Sequence, residues 1–169
     1  MHNKKDDVMN KEEILQSLDV NKIKYQVINH PPVYTAEEAD KYITDYEFSR
    51  VKNLFLHTAN KKHYYLLLIS ENDRLDFKKF RDIAQTSRVS MASSNELKEK
   101  LDLTPVSVSP FALLNNQDKD VEVDIQRKLL NDNYIGVHPN DNTATVVLKI
   151  DDLISFFDKK DYRIRILDL

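Results

Sequence analysis

Arg50-Val51-Lys52-Asn53-Leu54-Phe55-Leu56 is a short run of β-branched and large apolar residues broken by one lysine and one asparagine. Such a run predicts a β-strand. Residues two apart on a strand share a face, so Lys52 lies with Leu54 and Leu56, while Val51, Asn53 and Phe55 point the other way. Both faces are largely apolar, which predicts a strand buried on both sides. An ammonium taken out of water is costly unless it is paired or meets a ligand. Two readings of Lys52 stay open at this level. In one, its stem snorkels along the strand end to solvent and Asn53 is satisfied by a loop carbonyl. In the other, Lys52 projects into a pocket and holds an anionic or carbonyl-bearing ligand.

The neighbouring segments build outward from this strand. Lys61-Lys62 falls near a turn and His63 to Ser70 is a strongly apolar strand, so the two strands form a hairpin candidate. On the N-terminal side, Thr35-Ala36-Glu37-Glu38 has capping-box spacing and opens a short helix. His30-Pro31-Pro32 is extended, because each proline fixes its own φ and restricts the residue before it. Lys24 to Asn29 alternates as a strand, with Tyr25 and Val27 on one side. Asn10-Lys11-Glu12-Glu13 opens a helix that carries Ile14, Leu15 and Leu18 on one face. Residues 1–9 read as a polar tail, leaving residues 10–169 as one domain.

On the C-terminal side, Asp76 to Gln85 is helical, with Phe77, Phe80, Ile83 and Ala84 at helical spacing. Arg88 to Ala92 is a short strand, and Ser93-Ser94-Asn95-Glu96 opens a helix to Leu101. A proline-bounded loop over 103–110 and a helical turn at Phe111 to Leu114 follow. Val121 to Ile125, Tyr134 to Val137, Ala144 to Ile150 and Tyr162 to Leu167 read as strands, with a helix capped by Asp151 before the last of them. Strands outnumber helices and several adjacent ones can pair. The expected fold is therefore α+β: one domain with a curved, mixed, largely antiparallel and partly barrel-like sheet surrounded by helices.

Composition removes several kinds of chemistry. The chain of 169 residues has no cysteine, hence no disulfide framework, thiolate nucleophile or cysteine–zinc site. Its one glycine, Gly136, excludes a Walker phosphate loop, a dinucleotide fingerprint and a glycine-flanked serine elbow. The five histidines (His2, His30, His57, His63, His138) are far apart, so no metal site is expected. No apolar run approaches the roughly 20 residues of a membrane helix, and the polar N-terminus carries no signal-peptide segment, so a cytoplasmic protein without a membrane partner is expected. A net charge of −3 gives no global attraction for nucleic acid, and no DNA partner is expected, although a local basic patch can serve a small RNA contact. Lys78, Lys79 and Arg81 on the outer face of the 76–85 helix are such a patch, or simply a solvated face. Ser107 and Ser109 are hydrogen-bond donors or turn residues. His138, before Pro139, stands at a strand end.

Four stretches occur in order: His30-Pro31-Pro32-Val33-Tyr34-Thr35-Ala36-Glu37-Glu38-Ala39; Val51-Lys52-Asn53-Leu54-Phe55-Leu56; Thr104-Pro105 through Val108-Ser109-Pro110-Phe111; and His138-Pro139-Asn140 with Asn142-Thr143-Ala144-Thr145. On these the chain resembles the YbaK/ProX family of aminoacyl-tRNA editing domains over roughly residues 10–168. The first stretch is closer to the free-standing ProX, or PrdX, branch, which edits alanyl-tRNA(Pro), than to the YbaK branch, which clears cysteinyl-tRNA(Pro). The resemblance implies a curved mixed sheet and a hydrolase of the ester between a wrong amino acid and the tRNA 3′ end. It implies no metal, no cofactor and no covalent nucleophile, with water attacking and the tRNA ribose hydroxyl assisting.

Residue by residue, Lys52 matches the family lysine most tied to activity, which contacts the substrate end. Asn53 adjoins it, and His138 lines the amino-acid pocket. The loop Val106, Ser107, Val108, Ser109, Pro110 matches a glycine-x-x-x-proline substrate loop, with Val106 in place of the glycine and Asp102 in place of an upstream glycine. Valine suits neither a positive φ nor a close backbone approach, so the loop would offer N–H groups from Ser107 and Val108 in another conformation. Lys61, Lys62, Lys78, Lys79 and Arg81 are candidates for the tRNA backbone. The expected partner is the 3′ end of mischarged tRNA(Pro), with prolyl-tRNA synthetase as a second candidate. The alternatives are a catalytically silent module that binds aminoacyl-tRNA or a synthetase, and a deacylase for cysteinyl- or seryl-tRNA.

Overall fold

A computed structural model describes residues 9–35, 38–39, 41–43 and 47–169. The expected tail at residues 1–8 lies outside these, whereas Met9 is held, its N–H donating to Asn115 Oδ1 at 2.9 Å. Eight strands form one sheet: β1 (Tyr25–Asn29), β2 (Ser49–Thr58), β3 (Tyr64–Ser70), β4 (Val89–Met91), β5 (Val121–Gln126), β6 (Tyr134–Val137), β7 (Ala144–Lys149) and β8 (Ile164–Leu167). Their order is β1-β7-β6-β2-β3-β5-β8, with β4 added beside β2. Among the described residues, four α-helices pack on the sheet: α1 (Lys11–Val20), α2 (Phe77–Ala84), α3 (Ser94–Leu101) and α4 (Ile150–Asp158).

The fold is the expected mixed α+β domain. Four pairings are antiparallel and three are parallel. The sheet is open, with β1 and β8 as its two ends. The hairpin of β2 and β3 lies at its centre, in register from Val51↔Ser70 to His57↔Tyr64. Both faces of this hairpin are covered, as the run at 50–56 predicts. Phe55, Tyr64, Leu66 and Leu68 join Ile14, Leu18, Phe111 and Phe156 in the main core. Leu56, Tyr65, Leu67 and Ile69 join Phe80 and Val89 beneath α2. Period-2 alternation thus divides one hairpin between two cores.

Local rules fix the helix starts. Asn10 and Asp76 accept from the backbone N–H three residues on, and Ser93 with Glu96 forms a reciprocal capping box. Glu96 also accepts from His57 Nδ1 at 2.8 Å and Tyr64 OH at 3.2 Å, fastening α3 to β2 and β3. Burial works to raise its pKa, but the hydrogen bonds from Ser93 and His57 outweigh that and hold it at about 2. Asp151 is not the cap expected of it. Lys149 occupies that position, and Asp151 sits in the first turn, where a carboxylate meets the positive end of the helix dipole. The short helix expected from Thr35 falls partly outside the described residues; within them Thr35 Oγ1 accepts from Glu38 N at 3.1 Å.

Candidate active site

The pairing pattern of β2 leaves an opening. One edge of the strand pairs with β3 along Val51–His57. The other edge pairs with β6 only at Ser49 and Arg50, and with β4 only from Leu56 to Thr58. Between them, Val51 to Leu54 have no strand beside them among the described residues. A cleft of ≈ 290 Å³ opens there, and Lys52, Asn53, Val106 and His138 all line it. Val33, Ala39, Ile43 and Phe48 form an apolar wall. The segment after β1 is laid over the site by backbone bonds, His30 N to Thr143 O (2.9 Å) and Val33 N to Asn142 O (3.2 Å). The two prolines at 31–32 keep that segment extended.

Lys52 is partly buried, and its Nζ donates to the Asp73 carbonyl at 2.8 Å. It therefore lines a cavity with its ammonium tethered. Arg50, also in the lining, faces Glu71 at 3.9 Å and lies over the Phe48 ring. His138 Nδ1 is 3.0 Å from the Ala144 carbonyl. A carbonyl can only accept, so the proton is on Nδ1 and Nε2 keeps its lone pair. Burial pushes the His138 pKa below its ordinary value, only partly offset by the Ala144 hydrogen bond. The ring is thus neutral at neutral pH. Asn53 Oδ1 is buried with no hydrogen-bond partner among the described residues. The cleft is accordingly lined by two basic residues, Arg50 and Lys52, by Asn53 and by a neutral His138, against an apolar wall.

The proline loop contributes less than its sequence suggests. Val106 lies in a 3₁₀ turn (Pro105–Ser107) and lines the cleft. The positive φ falls instead on Asp102, at 54°, where the end of α3 needs a left-handed residue, and aspartate tolerates that conformation better than valine. Ser107 N–H is used within the turn, donating to Thr104 O at 3.0 Å. Val108 packs against the main core. Ser109 and Pro110 are buried, and Ser109 Oγ caps the next turn by accepting from Phe111 N. None of these four lines the cleft.

Lys61 and Lys62 sit at the hairpin turn, at the other end of β2 from Lys52, about 20 Å away at ~3.3 Å per strand residue. Lys79 lines a second cavity with Asp73 and Asp76, next to the Lys52 tether. Lys78 and Arg81 line a third groove with Arg88. Among the described residues, no group of three or more His, Cys, Asp or Glu is placed to hold a metal ion, and no helix is long and apolar enough to cross a membrane.

A model of the aminoacyl-tRNA editing domain family matches residues 30–156. The chain belongs to the aminoacyl-tRNA editing domain family. The prolyl-tRNA editing protein ProX of Acetoanaerobium sticklandii is 40% identical over 143 residues, covering 85% of this chain and 87% of that one. Prolyl-tRNA synthetase associated domain-containing protein 1 of Bos taurus is 28% identical over 148 residues, covering 83% and 84%. The fold matches a crystal structure of a candidate trans-editing enzyme for prolyl tRNA synthetase, with a TM-score of 0.71, 18% identity and coverage of 94% and 96%.

Within this editing domain, sequence reasoning assigned no role to Arg50, on the same strand as Lys52, nor to the parts brought in from elsewhere: Glu71, the apolar wall, Thr145 and Gly136. The lone glycine was itself a signal. A Cβ at Gly136 would stand 2.3 Å from Phe48 Cε2, so the glycine makes room for the ring that walls the cleft. Gly136→Ala is expected to swing that ring aside, costing about 1–3 kcal/mol of stability. It should lower deacylation by at least ~10-fold, because a wall shift misplaces the substrate. Urea denaturation and single-turnover deacylation measure the two effects.

Proposed function

We propose that this editing domain acts in trans as a deacylase of mischarged tRNA(Pro), with alanyl-tRNA(Pro) as its substrate. The observation that carries the reading is that Lys52, Asn53 and His138 line one small cleft. An aminoacyl ester offers matching groups. Its α-ammonium is a donor for the acceptors of Asn53 and His138, and its carbonyl, which gains negative charge as water attacks, suits the lysine. The side chain of the amino acid would lie against Val33, Ala39, Ile43 and Phe48. Of the lining hydroxyls, Thr145 Oγ1 is within 3.0 Å of His30 Nε2, whose Nδ1 faces the Pro31 carbonyl. Thr145 therefore donates to His30, and the step we assign is direct attack by water positioned in the cleft. The names of the relatives, a prolyl-tRNA editing protein and prolyl-tRNA synthetase associated proteins, support tRNA(Pro) and that synthetase as partners.

Alanine differs from proline by a small amount of apolar surface. That gives a synthetase only ~1–3 kcal/mol of discrimination and makes a separate hydrolytic site useful. The test is hydrolysis of alanyl-tRNA(Pro) beside prolyl-tRNA(Pro), with cysteinyl- and seryl-tRNA as further substrates. The expected result is rapid loss of the alanyl ester with the prolyl ester spared. Failure on all four would leave a binding module. Because burial holds His138 neutral, activity should persist through its ordinary pKa of 6.5 and fall only in more acid solution, as Nε2 is protonated and stops accepting.

A further inference from the structure

We propose that Gln126 is a positioning residue for Lys52, acting through the turn that carries Asp73. The inference rests on the editing reading for its catalytic consequence, but its geometry stands alone. A lysine side chain has many rotamers, and one bond selects among them here, from Nζ to the Asp73 carbonyl at 2.8 Å. Asp73 lies in the turn after β3, where its N–H donates to Ser70 O at 3.0 Å. The turn is gripped from beneath by Gln126, the last residue of β5, which is only 4% exposed. Gln126 Oε1 accepts from Ser70 N at 2.9 Å. Its Nε2 donates to Asp73 Oδ2 at 2.8 Å and to Leu169 O at 3.4 Å. These partners fix which end of the amide is which, since the reversed amide would set N–H against N–H.

Lys128 Nζ reaches both Asp73 carboxylate oxygens, at 3.0 and 3.1 Å. The hydrogen bonds from Gln126 and Lys128 keep the Asp73 carboxyl below its ordinary pKa. A buried amide at a strand end needs a reason, because burying it costs free energy unless every polar atom is paired. Here one amide joins the end of β3 to the residue that holds the ammonium. Gln126 does not line the cleft itself. It lies with Asp73 in the cavity across the turn.

The test uses the full chain with Gln126→Leu, Asp73→Ala and Asp73→Asn. Asp73→Ala changes a surface turn and guards against Gln126→Leu failing to fold. The first readout is acetylation of Lys52 by a succinimidyl ester, followed by mass spectrometry, with exposed Lys62 as internal reference. Gln126→Leu and Asp73→Ala should raise Lys52 labelling several-fold and leave Lys62 unchanged. The second readout is deacylation, where kcat should fall ~10- to 100-fold with KM little changed, the size of effect a small misplacement produces. Asp73→Asn keeps an acceptor for Gln126 and should restore both readouts. A merely structural role lowers the melting temperature without a selective change at Lys52. Unchanged labelling, or increased labelling with unchanged kcat, overturns the inference. If the unmodified protein clears no mischarged tRNA, the editing reading fails, and Lys52 labelling alone decides whether Gln126 positions it.

Discussion

Lys52→Ala should lower single-turnover deacylation of alanyl-tRNA(Pro) by ~10²–10³-fold, the loss typical of removing one preorganised group aimed at a developing oxyanion. The melting temperature should hardly move. Among the described residues, the Lys52 ammonium donates to the Asp73 carbonyl, which lies in a turn and can bond to water once the lysine is gone. The stem is only partly buried, so its removal leaves little of the void that makes core truncations costly. Lys52→Arg is a sharper probe. It keeps the charge but replaces a compact head by a planar fork, which does not reproduce a single bond to a backbone carbonyl. It should recover less than a tenth of the lost rate. Activity undiminished in Lys52→Ala would remove Lys52 from the mechanism and leave the two acceptors to account for it.

Arg165→Ala should cost about 3–5 kcal/mol of stability, the penalty for leaving a buried charge without its partner. Asp124 on β5 is fully buried, and Arg165 on β8 grips it with two bonds, Nε to Oδ1 at 2.7 Å and Nη2 to Oδ2 at 2.8 Å. Burial still keeps the Asp124 pKa above its ordinary value despite the arginine. Without the guanidinium, the carboxyl must take up a proton or draw in water, and the β5–β8 pairing at the sheet's end loosens. Urea denaturation measures the loss. The double variant Asp124→Leu with Arg165→Met should regain most of it, since apolar residues of similar volume replace buried ion pairs at little cost. A double variant as unstable as Arg165→Ala would locate the effect in packing of the arginine stem.

Sequence patterns made the centre of this molecule readable. The apolar run at 50–56 became a strand covered on both faces, the 61–62 turn closed a hairpin, and the Ser93–Glu96 spacing became a full capping box. Each rests on a contact within a few residues, so chain order and spatial order coincide. The same locality misled at Ser109, where a polar residue in a proline loop looked accessible and is buried as a cap.

From the sequence come Lys52's place in a strand, the extended run at His30-Pro31-Pro32, and the absence of cysteine and of a glycine-rich loop. Tertiary structure alone decided that β6 and β4 stop short of one another along β2, and that His138, Val106 and the 30–35 segment meet in the gap. The parallel pairings of β2 with β6, β3 with β5 and β5 with β8 join strands far apart in the chain. No turn or periodicity encodes such pairings, because their register is set by which apolar faces share a core once the whole sheet has assembled.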